Sequence, residues 1–387
     1  MTEDPNDWLE EDVSTESDET PIGEYDLTST PNDFNVKTII DFVNSGVFVI
    51  PSFQRNYVWD IKRASRLIES IILGLPIPQL FLYEEGRNKF LVIDGQQRLL
   101  SLHFFVHKRF PKVDRRGALR RLYDLNGEIP KTAIADDQYF ANFNLQLPSP
   151  LPSQQNRFNA LNYDTLGENR TAFDLRTIRC VFIKQNEPKN DDSSVYEIFN
   201  RLNTGGMNLT PQEIRTSLYH SDFYRCLYKL NVDDRWRSLL GSIDPDLRLR
   251  DVELLLRAFA MLIKGDTYAP SMTRFLNQFS KDMRSTPESE LERLSSIFDK
   301  FLSAASHLPP GAFGTRGKKV NISIFESVFA ASCSATYSGQ GSVAPLDEQS
   351  IAALKLDKEF NAASTARTSD RGQVATRLKR ARELLLV

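Results

Sequence analysis

Between Lys89 and Val106 the chain changes its hydrophobic period, and the change falls on one polar pentad, Asp94-Gly95-Gln96-Gln97-Arg98. Lys89-Phe90-Leu91-Val92-Ile93 is apolar and β-branched enough for a buried strand, while Leu99, Leu102, Phe105 and Val106 recur at helical spacing. A strand that turns into a helix this way leaves the first helical N–H groups unpartnered at the positive end of the helix dipole, which suits a phosphate. Gly95 permits the tight turn, and Arg98 sets a cation in the first helical turn. Any fold for this chain must therefore pack sheet against helix around that corner.

The flanking sequence supplies the partners. Asn35 caps a helix carrying Val36, Ile39, Ile40 and Val43, ended by Gly46; Phe48-Val49-Ile50 follows as a strand, stopped at Pro51. Phe53 to Trp59 is irregular and dense in aromatic and hydrogen-bonding side chains. Asp60 then caps a second helix with Ala64, Leu67, Ile68, Ile71, Ile72 and Leu75 in period, closed by Gly74, Pro76 and Pro78. Gln79 to Tyr83 and Phe90 to Ile93 are predicted to form a hairpin that delivers the pentad. Residues 111–170 are polar and weakly periodic, and are predicted to be an insertion or loop region at the surface. Ile178 to Ile183 is a further strand. A helix through Val195, Ile198, Phe199 and Leu202 runs out into Asn203-Thr204-Gly205-Gly206, and Thr210-Pro211-Gln212-Glu213 matches a capping box. Beyond Glu213 only helical patterns occur: Val252 to Met261, Met272 to Met283, Leu291 to Leu302, Ile322 to Ala331 and Val374 to Leu386. The predicted class is α+β, divided into an acidic disordered tail over 1–30, a mixed sheet-and-helix domain over 31–225 and an all-α domain over 226–387.

Composition narrows the function classes. With 387 residues, 41% hydrophobic and 26% charged, the chain reads as globular, and it has no apolar run of membrane-spanning length and no signal-like start. A cytoplasmic protein is expected. Cys180, Cys226 and Cys333 lie far apart among apolar neighbours and read as buried thiols. His103 and His107 have metal-ligand spacing on a helix but no accompanying acid or cysteine cluster, so a metal site is not expected there. Neither a P-loop nor a nucleophile-elbow motif is present.

Charge is uneven. Glu10-Glu11-Asp12 and Asp18-Glu19 load the N-terminus, whereas Lys108, Arg109, Lys112, Arg115, Arg116, Arg120 and Arg121 crowd one segment. That run admits two readings, a track for a DNA backbone or a solvated loop.

Three polar clusters stand against the apolar scaffold: Gln54-Arg55-Asn56-Tyr57, Asp94 to Arg98, and Arg201 through Asn203, Thr204 and Gly205 to Gly206. Converged on one cleft, they would suit a nucleoside triphosphate. Arg55, Arg98 and Arg201 would meet phosphates with the Gly95 and Gly205 backbone, Asp94 would position Mg2+, and Gln96 or Gln97 would orient water. Taken singly, each is also an ordinary turn, cap or helix exit. Tyr57 and Trp59 can stack on a nucleobase or serve as core aromatics.

Ile50 to Trp59, Leu67 to Ile71 with Gly74 to Pro78, and Val92 to Leu99 closely resemble the N-terminal domain of GmrSD-type restriction enzymes, which is related to the ParB and sulfiredoxin fold. The resemblance continues through Ile198 to Gly206, Glu213-Ile214-Arg215 and Arg250 to Arg257. It implies nucleotide binding and hydrolysis at Asp94 to Arg98, in a system that restricts phage or modified DNA. In some relatives a Gln-x-x-Tyr pattern senses modified DNA, and Gln54 with Tyr57 has that spacing. The nuclease half of two-part relatives has no counterpart here, so DNA cleavage would fall to a separate nuclease subunit. Triphosphate, DNA, that nuclease and a second copy of the chain are the partners to expect. The alternatives are a non-catalytic, nucleotide-gated DNA-binding protein and an endonuclease in its own right.

Overall fold

The computed structural model describes residues 8–10, 26–50, 57–126, 129–149, 154–187, 198, 201, 210–315, 319–344, 346–365 and 367–385. The chain divides into two compact units, Gly23–Leu218 and a second one joining Met1–Ile22 to Tyr219–Val387.

In the first unit β1 (Asp26–Asn35) leads straight into α1 (Val36–Asn44), and the Asn35 side chain caps it by accepting from Thr38 N at 2.8 Å. β2 (Phe48–Val49) is short. Asp60 caps α2 (Ile61–Leu73) through Arg63 N at 2.7 Å, and Gly74 ends it at φ 77°. β3 (Leu80–Gly86) and β4 (Lys89–Asp94) form the expected hairpin, but the strands run on until only Arg87 and Asn88 remain to turn the chain. α3 (Gln96–Val106), β5 (Arg109–Pro111), α4 (Arg116–Asn126), α5 (Lys131–Ala135), β6 (Phe140–Asn142) and α6 (Asn169–Leu175) follow. The unit closes with β7 (Thr177–Glu187) and α7 (Pro211–Leu218). Thr210 and Glu213 make the reciprocal capping bonds at the start of α7.

The sheet is mixed, in the order β1-β7-β3-β4-β2. β1 lies antiparallel to β7 and β3 antiparallel to β4, while β3 runs parallel to β7 and β2 parallel to β4. One face brings Leu80, Leu82, Val92, Ile178 and Cys180 into a single core with Ile39, Ile40, Ile68, Ile71, Leu99 and Phe105 from the helices. A separate β5–β6 pair flanks it.

Two expectations need correction. Residues 111–170 are not only surface: Phe140, Phe143, Leu145, Leu147, Phe158 and Leu166 are buried in the same core. Their apolar residues are spaced by irregular backbone, so no period announces them. Nor is the stretch 1–30 a tail throughout. Trp8 is 5% exposed, the Glu10 carboxylate accepts from Thr315 N and Asn321 Nδ2 at 2.6 and 2.9 Å, and β1 begins at Asp26.

The second unit is helical, with an isolated bridge between Leu9 and Val320. A boundary at 225 would cut the helix Asp222–Asn231, whose Phe223 packs on Phe279 and whose Tyr224 hydroxyl meets Ser280 at 2.9 Å. The helices Arg250–Lys264, Ile322–Tyr337 and Arg371–Leu385 share a buried ion network. Glu326 accepts from Arg257 Nε and Arg377 Nη2, each at 2.9 Å. Among the described residues no helix is long and apolar enough to cross a membrane.

Candidate functional site

β4 ends at Asp94 and α3 starts at Gln96, with Gly95 between them at φ 99°. Only glycine takes that conformation without strain, and a Cβ here would run into Leu80 Cδ2 of the neighbouring strand. The N-cap of α3 is Gly95, which has no side chain to cap it, and the positive end of the helix dipole lies at this corner. Asp94 stands beside them with its side chain 33% exposed.

Arg98, four residues on, folds back over the corner. Its Nη2 donates to Asp94 Oδ2 at 2.7 Å, and its Nη1 donates to the backbone carbonyls of Gln79, at 3.1 Å, and Pro78. Burial draws the Arg98 guanidinium below its ordinary pKa, and the Asp94 carboxylate opposes that pull. Arg98 is expected from its position to meet phosphate; in the structure two of its nitrogens hold Asp94 and the entrance to β3.

Both glutamines are committed to packing. Gln96 is 9% exposed and its Nε2 donates to Val92 O at 3.2 Å. Gln97 Oε1 accepts from Val58 N at 3.0 Å and Trp59 N at 3.4 Å. Tyr57 is 3% exposed, its ring edge-on to Phe104 and Phe110, and its hydroxyl 3.0 Å from Ser101 Oγ. Burial pushes its phenol pKa up, while the Ser101 hydrogen bond and nearby Arg116 pull it down. A ring so enclosed has no face open to a base, so of its two readings Tyr57 is a core aromatic; its Gln-x-x-Tyr partner, Gln54, lies outside the described residues. The one signal in the sequence was Ser101, a lone small polar residue among Leu99, Leu100 and Leu102.

The cationic run is drawn into the fold. Arg116 Nη2 donates to Trp59 O at 2.6 Å with its guanidinium 5.5 Å from the centre of the Tyr57 ring. Arg109 donates to Ile134 O at 2.9 Å, Phe140 O at 3.3 Å and Asp137 Oδ1 at 2.9 Å. Lys112 donates to Asp137 O, Lys108 pairs with Asp164, and Arg115 with Asp114. Arg120 and Asp124 form an ion pair with both side chains fully buried. The segment is therefore not an open track of cations. The half-exposed pairs of Lys108 and Arg115 can change partners at little cost.

Gln54, Arg55 and Asn56 lie outside the described residues, as do Asn203, Thr204 and Gly205; Arg201 is exposed. The convergence of the three clusters is thus described for the Asp94 corner alone. The His103 and His107 rings lie with centres 4.1 Å apart, tilted by 31°, and burial, with His107 adding to it, lowers the His103 pKa to about 3. Among the described residues no group of three or more His, Cys, Asp or Glu side chains could hold a metal ion. Cys180 and Cys333 are buried and Cys226 is partly so.

Residues 36–220 match the family described as GmrSD restriction endonuclease, N-terminal domain. No curated protein matches the chain. The matched span starts with α1 and ends just beyond α7, enclosing the Asp94 corner. Residues 36–220 are thus a GmrSD restriction endonuclease N-terminal domain, and the chain that carries it is a component of a restriction or defence system.

Proposed function

We propose that the chain is the nucleoside-triphosphate-binding and hydrolysing regulatory component of its restriction system, with the Asp94 corner as the nucleotide site and a separate subunit as the nuclease. The observation that supports this reading is the start of α3, at a glycine N-cap, beside a partly exposed carboxylate. First-turn N–H groups are natural phosphate ligands, and the positive end of the helix dipole favours their charge. Asp94, clamped by Arg98 at 2.7 Å, keeps one fixed carboxylate at that site.

A lone carboxylate does not make a protein metal cage, but it fits Mg2+ carried in on a nucleotide, which usually takes one or two carboxylates besides phosphate oxygens and water. Asp94 would hold it. The ion would supply neutralisation of charge developing on the phosphate oxygens. The chain's own part is to orient: Arg98 fixes Asp94, and Gln97 fixes the strand-to-helix segment at Val58.

One observation favours a second reading, binding without turnover. Gln96 donates to Val92 O, and Gln97 Oε1 accepts two backbone N–H groups, so both amides already serve the fold rather than an attacking water. Phosphate release from GTP, UTP, CTP and ATP in the presence of magnesium separates the two. Turnover of at least one nucleotide supports hydrolysis, and saturable binding with no release supports a nucleotide-gated switch acting on DNA. The absence of both removes the nucleotide site.

A further inference from the structure

The first unit has a second concave site, away from the Asp94 corner. β4 enters at Lys89 and leaves at Asp94, and the cavity lies at its entry end, against Phe90. It occupies about 570 Å³ on the helix-covered side of the sheet, where Phe182 and Lys184 continue the face that carries Ile178 and Cys180. That volume falls within the range of about 300–1,000 Å³ typical of small-molecule pockets.

Its walls are aromatic. Phe90 meets Phe182 edge-on at 4.8 Å, Phe34 meets Phe182 at 6.0 Å, and Phe42 lies 5.1 Å from Phe48. Its polar groups are of two kinds. Glu84 and Lys184 also line it and neutralise each other at 2.9 Å. Thr30, Asn32 and Asn88 contribute a hydroxyl and two amides that make no side-chain hydrogen bond to another described residue. The composition selects among ligands. A phosphate would find no spare cation among the described lining residues, and an aliphatic chain would desolvate three polar groups and satisfy none of them. A flat ring gains edge and face contacts with the phenylalanines, while its heteroatoms can pair with the amides and hydroxyl.

We propose that this pocket binds an uncharged planar heteroaromatic ring of nucleobase size, presented without phosphate, at a site separate from the Asp94 corner. The ring packs against Phe90 and Phe182, and Thr30, Asn32 and Asn88 read its edge.

The test is titration of the full chain with adenosine, guanosine, cytidine and uridine, followed by calorimetry and by amide hydrogen exchange. At least one nucleoside is expected to saturate and to protect residues 26–35 and 177–187. Thr30→Trp, on an exposed edge strand, fills the cavity and abolishes that binding. Asn32→Ala weakens it about fivefold, the worth of roughly one hydrogen bond. Failure of all four nucleosides to saturate at millimolar concentration overturns the proposal, as does binding that Thr30→Trp leaves intact. A single-stranded oligonucleotide that binds with steep salt dependence while the nucleosides do not also overturns it. Protection on β1 and β7 reports this pocket and not the start of α3, so its failure leaves the triphosphate reading standing.

Discussion

Gln97 Oε1 accepts the backbone N–H of Val58 at 3.0 Å, across 39 positions of sequence. A side chain in the first turn of α3 thereby holds the segment that enters α2, and the same bond network continues through Ser101 to Tyr57. Gln97→Ala leaves the Val58 and Trp59 amides without that acceptor. The expected cost is about 1–3 kcal/mol, read as a lower denaturant midpoint at unchanged slope. A Gln97→Ala chain as stable as the wild type would show that the link is incidental.

At Gly95 the constraint is both backbone and packing. Gly95→Ala forces a side chain to φ 99° and drives its Cβ into Leu80. A loss of about 1–3 kcal/mol or more is expected by thermal or chemical unfolding. An unchanged midpoint would mean that the turn relaxes freely.

Arg98→Lys keeps the charge and loses the geometry. A single ammonium cannot span Asp94 Oδ2 and the carbonyls of Pro78 and Gln79 as the planar guanidinium does. Under the proposed function, phosphate release should fall about 10- to 100-fold through misplacement of Asp94, with a smaller effect on stability. Wild-type turnover in Arg98→Lys would argue that Asp94 needs no clamp.

His103 gives the fold an acid-sensitive element. Its native pKa lies near 3 because burial disfavours the imidazolium, whereas an unfolded histidine titrates near about 6.5. Between those values the unfolded chain binds a proton that the native chain refuses. Stability from this group is therefore present above about 6.5 and falls as pH drops toward 3, by at most ~1.4 kcal/mol per pH unit. His103→Gln should flatten that part of the stability-pH curve between pH values of about 6.5 and 4.5; identical slopes would place the imidazole in solvent.

In the helical unit, Glu326 holds two buried guanidiniums, Arg257 and Arg377. Glu326→Ala removes their shared counter-charge, and a destabilisation of about 3–5 kcal/mol is expected on unfolding of that unit. A loss below about 1 kcal/mol would indicate that the pair is solvated.

What could be read from the sequence was what is local. Asn35, Asp60 and Gly74 announce their helix ends because a cap acts within four residues, and the 3.6 periods of α1 and α2 fix their buried faces. The strand-to-helix corner at Asp94 was legible for the same reason. Partners distant in the chain were not. Arg109 and Arg116 look like free cations until Ile134, Asp137 and Trp59 are brought beside them, and Trp8 looks like part of a tail until Val320 pairs with its neighbour. The aromatic pocket was hidden too, because Phe34, Phe90 and Phe182 come from three strands and form one wall only in the β1-β7-β3-β4 order.

Under the proposed function, Asp94 and the start of α3 handle a triphosphate. The most direct measurement compares wild type with Asp94→Asn, an isosteric change that removes the carboxylate charge, in nucleotide binding by calorimetry and in magnesium-dependent phosphate release. Wild type is expected to bind and turn over at least one triphosphate, and Asp94→Asn to lose release by about 100-fold or more, the scale of one preorganised electrostatic group. Equal release from both proteins, or no binding of any triphosphate by the wild type, would contradict the proposed function.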